Sequence, residues 1–221
     1  MSRDITATFR SELEMAISSF GIEALTEERT TRLARHYAML CRWNQRLNLT
    51  RITEPHEAAT LHYAESLFGA SFIGDAHKLL DVGSGAGFPA IPLAVAKPDV
   101  QVTALEANQK KSIFLKEVKD ELGLANLKVV AARLEEFDWA GYELLTSRAL
   151  DRADAILPSV IEGFSVEQRI MLYCGRDLVA KLKTEGNYKI ETHPIPHSEA
   201  RLIAIFSRDS TTDWTDQTDL H

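Results

Sequence analysis

The chain has 221 residues, of which 45% are hydrophobic and 26% are charged, so it can bury a large core and is not expected to be disordered as a whole. Its 25 Lys and Arg residues against 32 Asp and Glu residues give a net charge of −7, which argues against a protein coated in positive charge, such as a histone-like nucleic-acid binder. The apolar stretch over 88–96 is far shorter than the ~20 residues that a membrane-spanning helix needs.

The sequence also predicts a protein of the reducing cytoplasm. The N-terminal residues hold no apolar run typical of a secretory signal, and the two cysteines, Cys41 and Cys174, lie 133 positions apart. Neither cysteine has metal-ligand spacing around it, and the same holds for His36, His56 and His62. We therefore expect no metal site and no membrane contact.

Residues from about 5 to 70 are predicted to be helical throughout. One helix is expected to begin after Thr26, whose hydroxyl can cap free N–H groups, and to run to about Asn48. A second helix is expected over 55–68. The first of these has an apolar side and a basic side. The apolar side holds Leu33, Tyr37, Leu40 and Leu47, and the basic side holds Arg32, Arg35, Arg42 and Arg46.

Further along the chain, predicted strands alternate with helices. We predict strands over 78–82, 100–105, 127–132, 143–147 and 169–174, helices over 88–96, 109–122 and 151–162, and a closing hairpin of 189–194 with 201–206. This alternation predicts an α/β fold, a doubly wound and mostly parallel sheet behind an N-terminal helical extension. The expected division is 1–70 for the extension, 71–208 for the sheet domain and 209–221 for an acidic, solvated tail.

The strongest local signal for a ligand is the segment D-V-G-S-G-A-G at 81–87, which directly follows the first predicted strand. Glycine permits positive φ and close approach of a ligand. The spacing G-x-G-x-G differs from the dinucleotide pattern, and Pro89 lacks the N–H that a phosphate would bind. S-adenosylmethionine has no phosphate, so we predict that it binds here, with Gly83 and Gly85 among its contacts. A glycine turn without a ligand is the alternative.

Two further positions are candidate cofactor contacts. Glu106 follows the second predicted strand, and its two carboxylate oxygens suit the two hydroxyls of a ribose. A solvated glutamate is the alternative. Leu134 and Glu135 follow the third predicted strand, where a backbone N–H or a carboxylate is placed to bind the adenine edge, although this segment also fits a surface turn.

Basic residues are concentrated in one part of this acidic chain. Residues 29–53 contain six arginines and no acid. Arginine binds phosphates through two parallel hydrogen bonds and stacks on bases, so this run predicts an RNA contact. A solvated face without a partner is the alternative. The predicted RNA-binding residues are Arg32, Arg35, Arg42, Arg46 and Arg51, with Lys110, Lys111 and Lys116 as an extension of the same surface. Tyr37 and Trp43 fit either base stacking or the core.

Four segments together resemble a known family. They are W-N-Q-R-L-N-L-T-R-I at 43–52, H-Y-A-E-S-L at 62–67, D-V-G-S-G-A-G-F-P at 81–89 and T-S-R-A at 146–149. In order and spacing they resemble the RsmG family, also called GidB, which are bacterial methyltransferases acting on N7 of one guanine in 16S rRNA. The resemblance covers about 30–150. It implies a Rossmann-like class I methyltransferase fold, S-adenosylmethionine as cofactor, and 16S rRNA or a precursor of the small ribosomal subunit as partner.

The resemblance also implies particular site residues. The implied cofactor contacts are Gly83, Phe88, Leu134, Glu135 and Arg148. The chain departs from the family pattern at three places. These are Ala90 in place of a glycine, Glu65 in place of an aspartate, and R-I-M-L-Y-C-G at 169–175 in place of a strand that ends in Lys-Gly.

The implied chemistry needs no paired acid and base. N7 of guanine carries a free lone pair, so methyl transfer to it requires alignment and no deprotonation, and orientation can supply much of the rate. Arg148 is expected where the base or the cofactor carboxylate would lie, with a positioning role; a surface arginine paired with Asp151 is the alternative. Two other functions stay open, a methyltransferase of this fold with another substrate and a non-catalytic RNA-binding protein on the same fold.

Overall fold

Helices form the N-terminal part of the computed structural model, which describes residues 2–148, 160, 163–182 and 188–208, with side chains from residue 5. Helix α1 covers Ser2–Ser19 and α2 covers Glu27–Leu47. A series of helical segments follows, which we call the composite helix. It comprises α3 (Pro55–Ala58), a π-helical segment (Ala59–Ala64), α4 (Glu65–Phe68) and a 3-10 segment (Gly69–Phe72).

The expectation of helix throughout 5–70 is too broad, because 20–26 and 48–54 are not helical. The predicted bounds of the two helices, from after Thr26 to about Asn48 and over 55–68, are confirmed. After α1 the chain turns at Gly21, whose φ is +67°. Helix α2 ends where Asn48 adopts the left-handed conformation, while its start is confirmed by the hydrogen bond from the Arg29 N–H to Thr26. The Asn44 side chain then forms two hydrogen bonds with the Thr50 backbone, both of 2.9 Å, so the W-N-x-x-L-N-L-T segment closes its own turn.

The sheet has seven strands in the order β3-β2-β1-β4-β5-β7-β6. The first five in that order are parallel, whereas β7 runs antiparallel to β5 and to β6. The strands are β1 (Lys78–Val82), β2 (Gln101–Leu105), β3 (Leu127–Val130), β4 (Leu144–Ser147), β5 (Arg169–Gly175), β6 (Lys189–Pro194) and β7 (Arg201–Ser207). The order reverses beside β1, which confirms the doubly wound arrangement and places a ligand crevice at the carboxyl end of β1.

In the described part of the chain, three more helices flank the sheet: α5 (Ala90–Ala96), α6 (Gln109–Leu122) and α7 (Arg176–Leu182). Helix α5 begins two residues later than the predicted start at Phe88, because Phe88 and Pro89 still belong to the glycine turn, with a cis peptide between them. The predicted helix over 151–162 lies outside the described residues except for position 160, and the predicted tail over 209–221 lies outside them entirely.

Two hydrophobic cores cover the two faces of the sheet. Consecutive strand residues point to opposite faces, so Leu79 belongs to one core and Leu80 to the other. The first core joins the sheet to α5, α6 and all the helices before β1, with Phe9 of α1 stacked on Tyr37 of α2 at 4.1 Å between ring centroids. The helical extension therefore shares one continuous core with the sheet.

Gly69 in the composite helix lies against β5. The Tyr173 hydroxyl donates a 3.0 Å hydrogen bond to the Ser66 carbonyl, and a Cβ at position 69 would overlap that hydroxyl. We expect Gly69→Ala to destabilise the protein by about 1–3 kcal/mol, the usual cost of overpacking, which corresponds to a drop of several degrees in melting temperature. Gly141→Ala is the control, because a Cβ there meets open space. Equal melting curves for the two variants would contradict this packing.

Candidate cofactor site

The glycine turn follows β1 at the carboxyl edge of the sheet. Gly83, Gly85 and Gly87 have φ angles of +73°, +57° and +94°, which L side chains rarely adopt. The N–H groups of Gly83 and Ser84 donate to the Leu105 carbonyl at the end of β2, at 2.8 and 3.2 Å. The turn predicted from the glycine spacing is therefore present, and it is tied to the neighbouring strand.

Glu106 stands beside this turn, as the order of the two motifs predicts. One carboxylate oxygen accepts a 2.8 Å hydrogen bond from the Gly85 N–H, and the other accepts one of the same length from the Asn108 N–H. A carboxylate has about four acceptor positions, so two remain for a ligand such as a ribose. Glu106 thus holds the shape of the turn, a role that its position in the sequence did not reveal.

Asp81 is the most unusual group near the turn. It is fully buried, and neither carboxylate oxygen has a hydrogen-bond partner among the residues the structure describes. Burial raises the pKa of Asp81 to about 7, although the nearby Ser84 side chain and Ala90 N–H lower it in part without reaching hydrogen-bond geometry. Beside it on β4, the buried Thr146 hydroxyl also lacks a described partner.

These two orphaned side chains test whether the predicted cofactor fits. A buried carboxylate is stabilised by a cation with N–H donors, and S-adenosylmethionine carries an ammonium group as well as a sulfonium. The residues present therefore fit that cofactor. Asp81 was quoted in the motif without being counted as a site residue; its place at the end of β1, directly before the first glycine, was the available signal.

Arg148 follows β4, and its guanidinium reaches back to the composite helix. One terminal nitrogen donates to the His62 carbonyl and the Ser66 hydroxyl at 3.0 and 2.9 Å; the other donates to the Leu61 carbonyl at 2.7 Å and to Glu65 at 3.0 Å. Only 17% of the side chain is exposed, so Arg148 is not a surface residue. The alternative partner, Asp151, lies outside the described residues. All four N–H groups on the terminal nitrogens are engaged, and any contact with the cofactor is left to Nε or to the guanidinium face.

Glu65 connects Arg148 to strand β7. Its second carboxylate oxygen lies 2.6 Å from a guanidinium nitrogen of Arg201, at the start of β7. Burial raises the pKa of Glu65, and the charges of Arg148 and Arg201 oppose that rise. Removing one member of a buried ion-pair network typically costs about 3–5 kcal/mol, because the partner is left buried and uncompensated. Glu65 stands out in the sequence as a departure from the family pattern, whereas Arg201 has no local signal and was not predicted.

Two histidines pack against the glycine turn. The His62 ring stacks on Phe88 at 4.5 Å between centroids, and its Nε2 lies 2.8 Å from the Thr50 hydroxyl. Burial and the nearby Arg148 charge lower the pKa of His62 to about 3. His36 is fully buried, and burial lowers its pKa to about 4. Both rings are therefore neutral at pH 7. Across the described part of the chain, no group of three His, Cys, Asp or Glu side chains is placed to hold a metal ion.

The remaining predicted cofactor contacts lie in two places. Phe88 is buried with its ring toward His62 and Tyr63. Leu134 and Glu135 form a short 3-10 segment after β3; Leu134 is buried in the second core and Glu135 is exposed. Their contact with a cofactor stays a prediction.

The arginine run lies mainly on α2. Arg35, Arg42, Arg46 and Arg51 are exposed, whereas Arg32 is half-buried and forms an ion pair of 2.7 Å with Glu28. Of the two aromatic residues considered for stacking, Tyr37 is fully buried in the first core. Trp43 packs edge-on against Phe114 of α6 at 5.7 Å between ring centroids.

A shallow surface cavity of about 330 Å³ lies at the opposite, amino-terminal edge of the sheet. Its lining residues are Asp75, Ala76, His77, Glu143, Glu167 and Arg169. They precede or begin β1, β4 and β5, so this cavity is separate from the glycine turn.

Comparison with known proteins identifies the family that this chain resembles. A family model described as rRNA small subunit methyltransferase G matches residues 29–198. The ribosomal RNA small subunit methyltransferase G of Stenotrophomonas maltophilia (strain K279a) is 41% identical over 154 residues, which cover 69% of this chain and 71% of that protein.

Solved structures share the fold at low sequence identity. The ribosomal protein L11 methylase of Lactobacillus delbrueckii subsp. bulgaricus superposes with a TM-score of 0.55 at 12% identity, covering 67% of this chain and 79% of that one. An SAH-bound methyltransferase of Podospora anserina gives 0.58 at 10% identity, with coverage of 80% and 88%. These likenesses confirm the expected class I methyltransferase fold.

The orphaned carboxylate predicts opposite effects on stability and binding. The pKa of Asp81 is about 7 in the folded protein, against 3.8 for an ordinary aspartate, so the folded state holds this proton more tightly than the unfolded state. The free energy of unfolding therefore falls as the pH rises from about 4 through 7. We expect the ligand-free Asp81→Asn variant to melt above the wild type at pH 8, by at most about 4 kcal/mol of unfolding free energy, and to converge with it near pH 4. The same variant should bind S-adenosylmethionine more weakly.

Differential scanning calorimetry and titration calorimetry measure the two effects. Asp99→Asn, an exposed site outside the turn, is the control and should change neither. If Asp81→Asn binds the cofactor as tightly as the wild type, the carboxylate does not face the bound cation.

Proposed function

The chain belongs to the rRNA small subunit methyltransferase G family, and on that premise we propose that it transfers a methyl group from S-adenosylmethionine to N7 of a guanine in 16S rRNA. The observation that carries the proposal is the glycine turn at the switch point of the sheet, with the orphaned Asp81 carboxylate below it and Glu106 beside it. Burying a carboxylate that no described group hydrogen-bonds is costly, and a cationic ligand with N–H donors removes that cost.

In this proposal, different residues bind different parts of the cofactor. Asp81 is placed for the ammonium group, and Glu106 for the ribose hydroxyls. Gly83 and Gly85 let the ligand approach the backbone. The full set of proposed cofactor contacts is Gly83, Gly85, Phe88, Glu106, Leu134, Glu135 and Arg148, to which we add Asp81. When bound, S-adenosylmethionine supplies an electrophilic methyl group on sulfur.

The protein's own contribution to the reaction is to align N7 of guanine with the methyl group. N7 of guanine presents its lone pair without losing a proton, so the protein needs no general base at this position. Correct orientation alone is worth up to about 7–11 kcal/mol of barrier. Arg148 contributes by holding the end of β4 against the composite helix, which keeps the edge of the crevice in place. We therefore assign Arg148 a positioning role.

RNA binding is proposed for the arginine run. Arg35, Arg42, Arg46 and Arg51 are exposed, and α2 packs against α6, whose exposed Lys110 and Lys116 extend the positive surface. Arg32 is included as a weaker contact, because its guanidinium is already paired with Glu28. Each phosphate neutralised by such a side chain makes binding more sensitive to salt.

The proposed partner is 16S rRNA or a precursor of the small ribosomal subunit, encountered in the cytoplasm. Within the residues described above, no helix combines the length and apolar character that crossing a membrane requires. The division into 1–70, 71–208 and 209–221 also stays a proposal, with the first segment contributing the RNA contacts.

The substrate is tested by mapping N7-methylguanine in 16S rRNA from a strain that lacks this protein, using borohydride reduction and aniline cleavage. We expect one such nucleotide to disappear, and purified protein with S-adenosylmethionine to restore it. A Gly83→Val variant should fail to restore it, because valine is strained at a φ of +73°, while Gly141→Ala should succeed.

Each other outcome selects another function. Unchanged 16S rRNA, with cofactor binding intact, would indicate a methyltransferase with a different substrate. No binding of S-adenosylmethionine at ~1 mM, a binding free energy of about −4 kcal/mol, would indicate a non-catalytic protein on this fold.

Charge reversal tests the RNA surface. We expect Arg42→Glu combined with Arg46→Glu to weaken binding to a 16S rRNA fragment at least about tenfold at ~0.1 M salt. The slope of log affinity against log salt should fall by about 0.7–0.9 for each phosphate that is no longer neutralised, and cofactor affinity should not change. Filter binding across a salt series measures both quantities.

Lys128→Glu combined with Lys189→Glu is the matched control, because it changes the net charge equally at exposed positions on the two edge strands. An equal loss of RNA affinity in the two double variants would mean that overall charge, and not this surface, governs binding.

A further inference from the structure

His36 links the arginine-bearing helix to the glycine turn. It lies on α2, is fully buried, and its Nε2 is 3.0 Å from the Ala86 carbonyl oxygen within the turn. Its Nδ1 is 2.9 Å from the Tyr63 hydroxyl, in the π-helical segment of the composite helix. The ring also packs against Phe88 at 5.2 Å between centroids.

The partners of the ring define its tautomer. A carbonyl only accepts hydrogen bonds, so the proton of the neutral ring is on Nε2 and points to Ala86. Nδ1 then accepts from the Tyr63 hydroxyl, which keeps its proton because burial raises the pKa of Tyr63 well above the ordinary value. Tyr63 thus selects the tautomer that donates to the turn.

Ala86 stands between two glycines with positive φ, where the backbone is least restricted. The peptide that joins Ala86 to Gly87 is held at both ends: its carbonyl accepts from His36, and the Gly87 N–H donates to the Ser84 carbonyl at 2.7 Å. The direct contacts of the turn with β2 and Glu106 involve Gly83, Ser84 and Gly85. His36 therefore holds Ala86, in the part of the turn that those contacts do not reach.

We propose that His36 is a positioning residue for the cofactor, which orients the Ala86–Gly87 peptide through its Nε2–H. This inference rests on the proposed binding of S-adenosylmethionine at the glycine turn. A turn that is already ordered loses less entropy when the ligand binds, so removing the donor weakens cofactor binding. The methyl transfer step itself does not involve the ring, and the rate at saturating cofactor is kept.

His36→Leu and His36→Gln form the test pair. Leucine fills much of the same space without a donor, whereas the glutamine amide can place an N–H near the position of Nε2. We expect His36→Leu to bind S-adenosylmethionine at least tenfold more weakly by titration calorimetry and to show a raised KM for the cofactor with kcat within threefold of the wild type. His36→Gln should recover affinity to within threefold of the wild type.

Leu13→Ala is the matched control for reduced stability. Leu13 is fully buried in the same core, but on α1. At a comparable drop in melting temperature, Leu13→Ala should keep wild-type cofactor affinity. If it loses as much affinity as His36→Leu, general destabilisation explains the effect and the proposal is overturned. Wild-type affinity in a folded His36→Leu variant also overturns it.

A second pair covers the case in which His36→Leu does not fold. The asparagine amide reaches only the position of Nδ1, so His36→Asn should bind the cofactor more weakly than His36→Gln, and equal affinities overturn the proposal. These binding measurements need no RNA. Wild-type protein that binds S-adenosylmethionine and leaves 16S rRNA unmethylated would refute the proposed substrate while the role of His36 stands.

Discussion

The structure depends on a backbone turn that only glycine adopts easily and whose own hydrogen bonds, from the Gly87 and Phe88 N–H groups to the Ser84 carbonyl, are supplemented by contacts from other elements. Three positive φ angles between Gly83 and Gly87 leave this segment with few intrinsic preferences. Its conformation is held by hydrogen bonds with other elements: with the Leu105 carbonyl and Glu106 at the end of β2, and with His36 on α2. A site made in this way is ordered only when the sheet and the helices around it are both folded.

The helices before β1 are consequently part of the same folding unit as the sheet, whatever they contribute to RNA binding. Their apolar side chains share the first core, and Arg148 joins β4 to the composite helix through four hydrogen bonds. Glu65 extends this link to Arg201 on β7. Helix α2 thus presents arginines to solvent on one side and His36 to the cofactor turn on the other.

Prediction from the sequence succeeded where the signal is local. Apolar runs followed by glycine or acidic residues located β1 and β2, and the alternation of strands and helices predicted the doubly wound sheet. The general expectation of helix over 5–70 was too broad at 20–26 and 48–54, and the predicted helix start at Phe88 was wrong, because Phe88 belongs to the turn instead of to α5. At the site, the glycines and Glu106 were identified as a group, but their mutual hydrogen bond was not foreseen.

By itself, the sequence determined the fold class, the glycine turn, the family and the concentration of arginines on α2. Each of these depends on residue types that lie close together in the chain. Tertiary structure alone decided the partners of the buried polar groups. Arg148 lies more than 80 positions from Leu61 and from Glu65, and His36 lies 50 positions from Ala86. Local periodicity carries no information on such pairs, since they form only when packing removes both groups from water and each must find a partner.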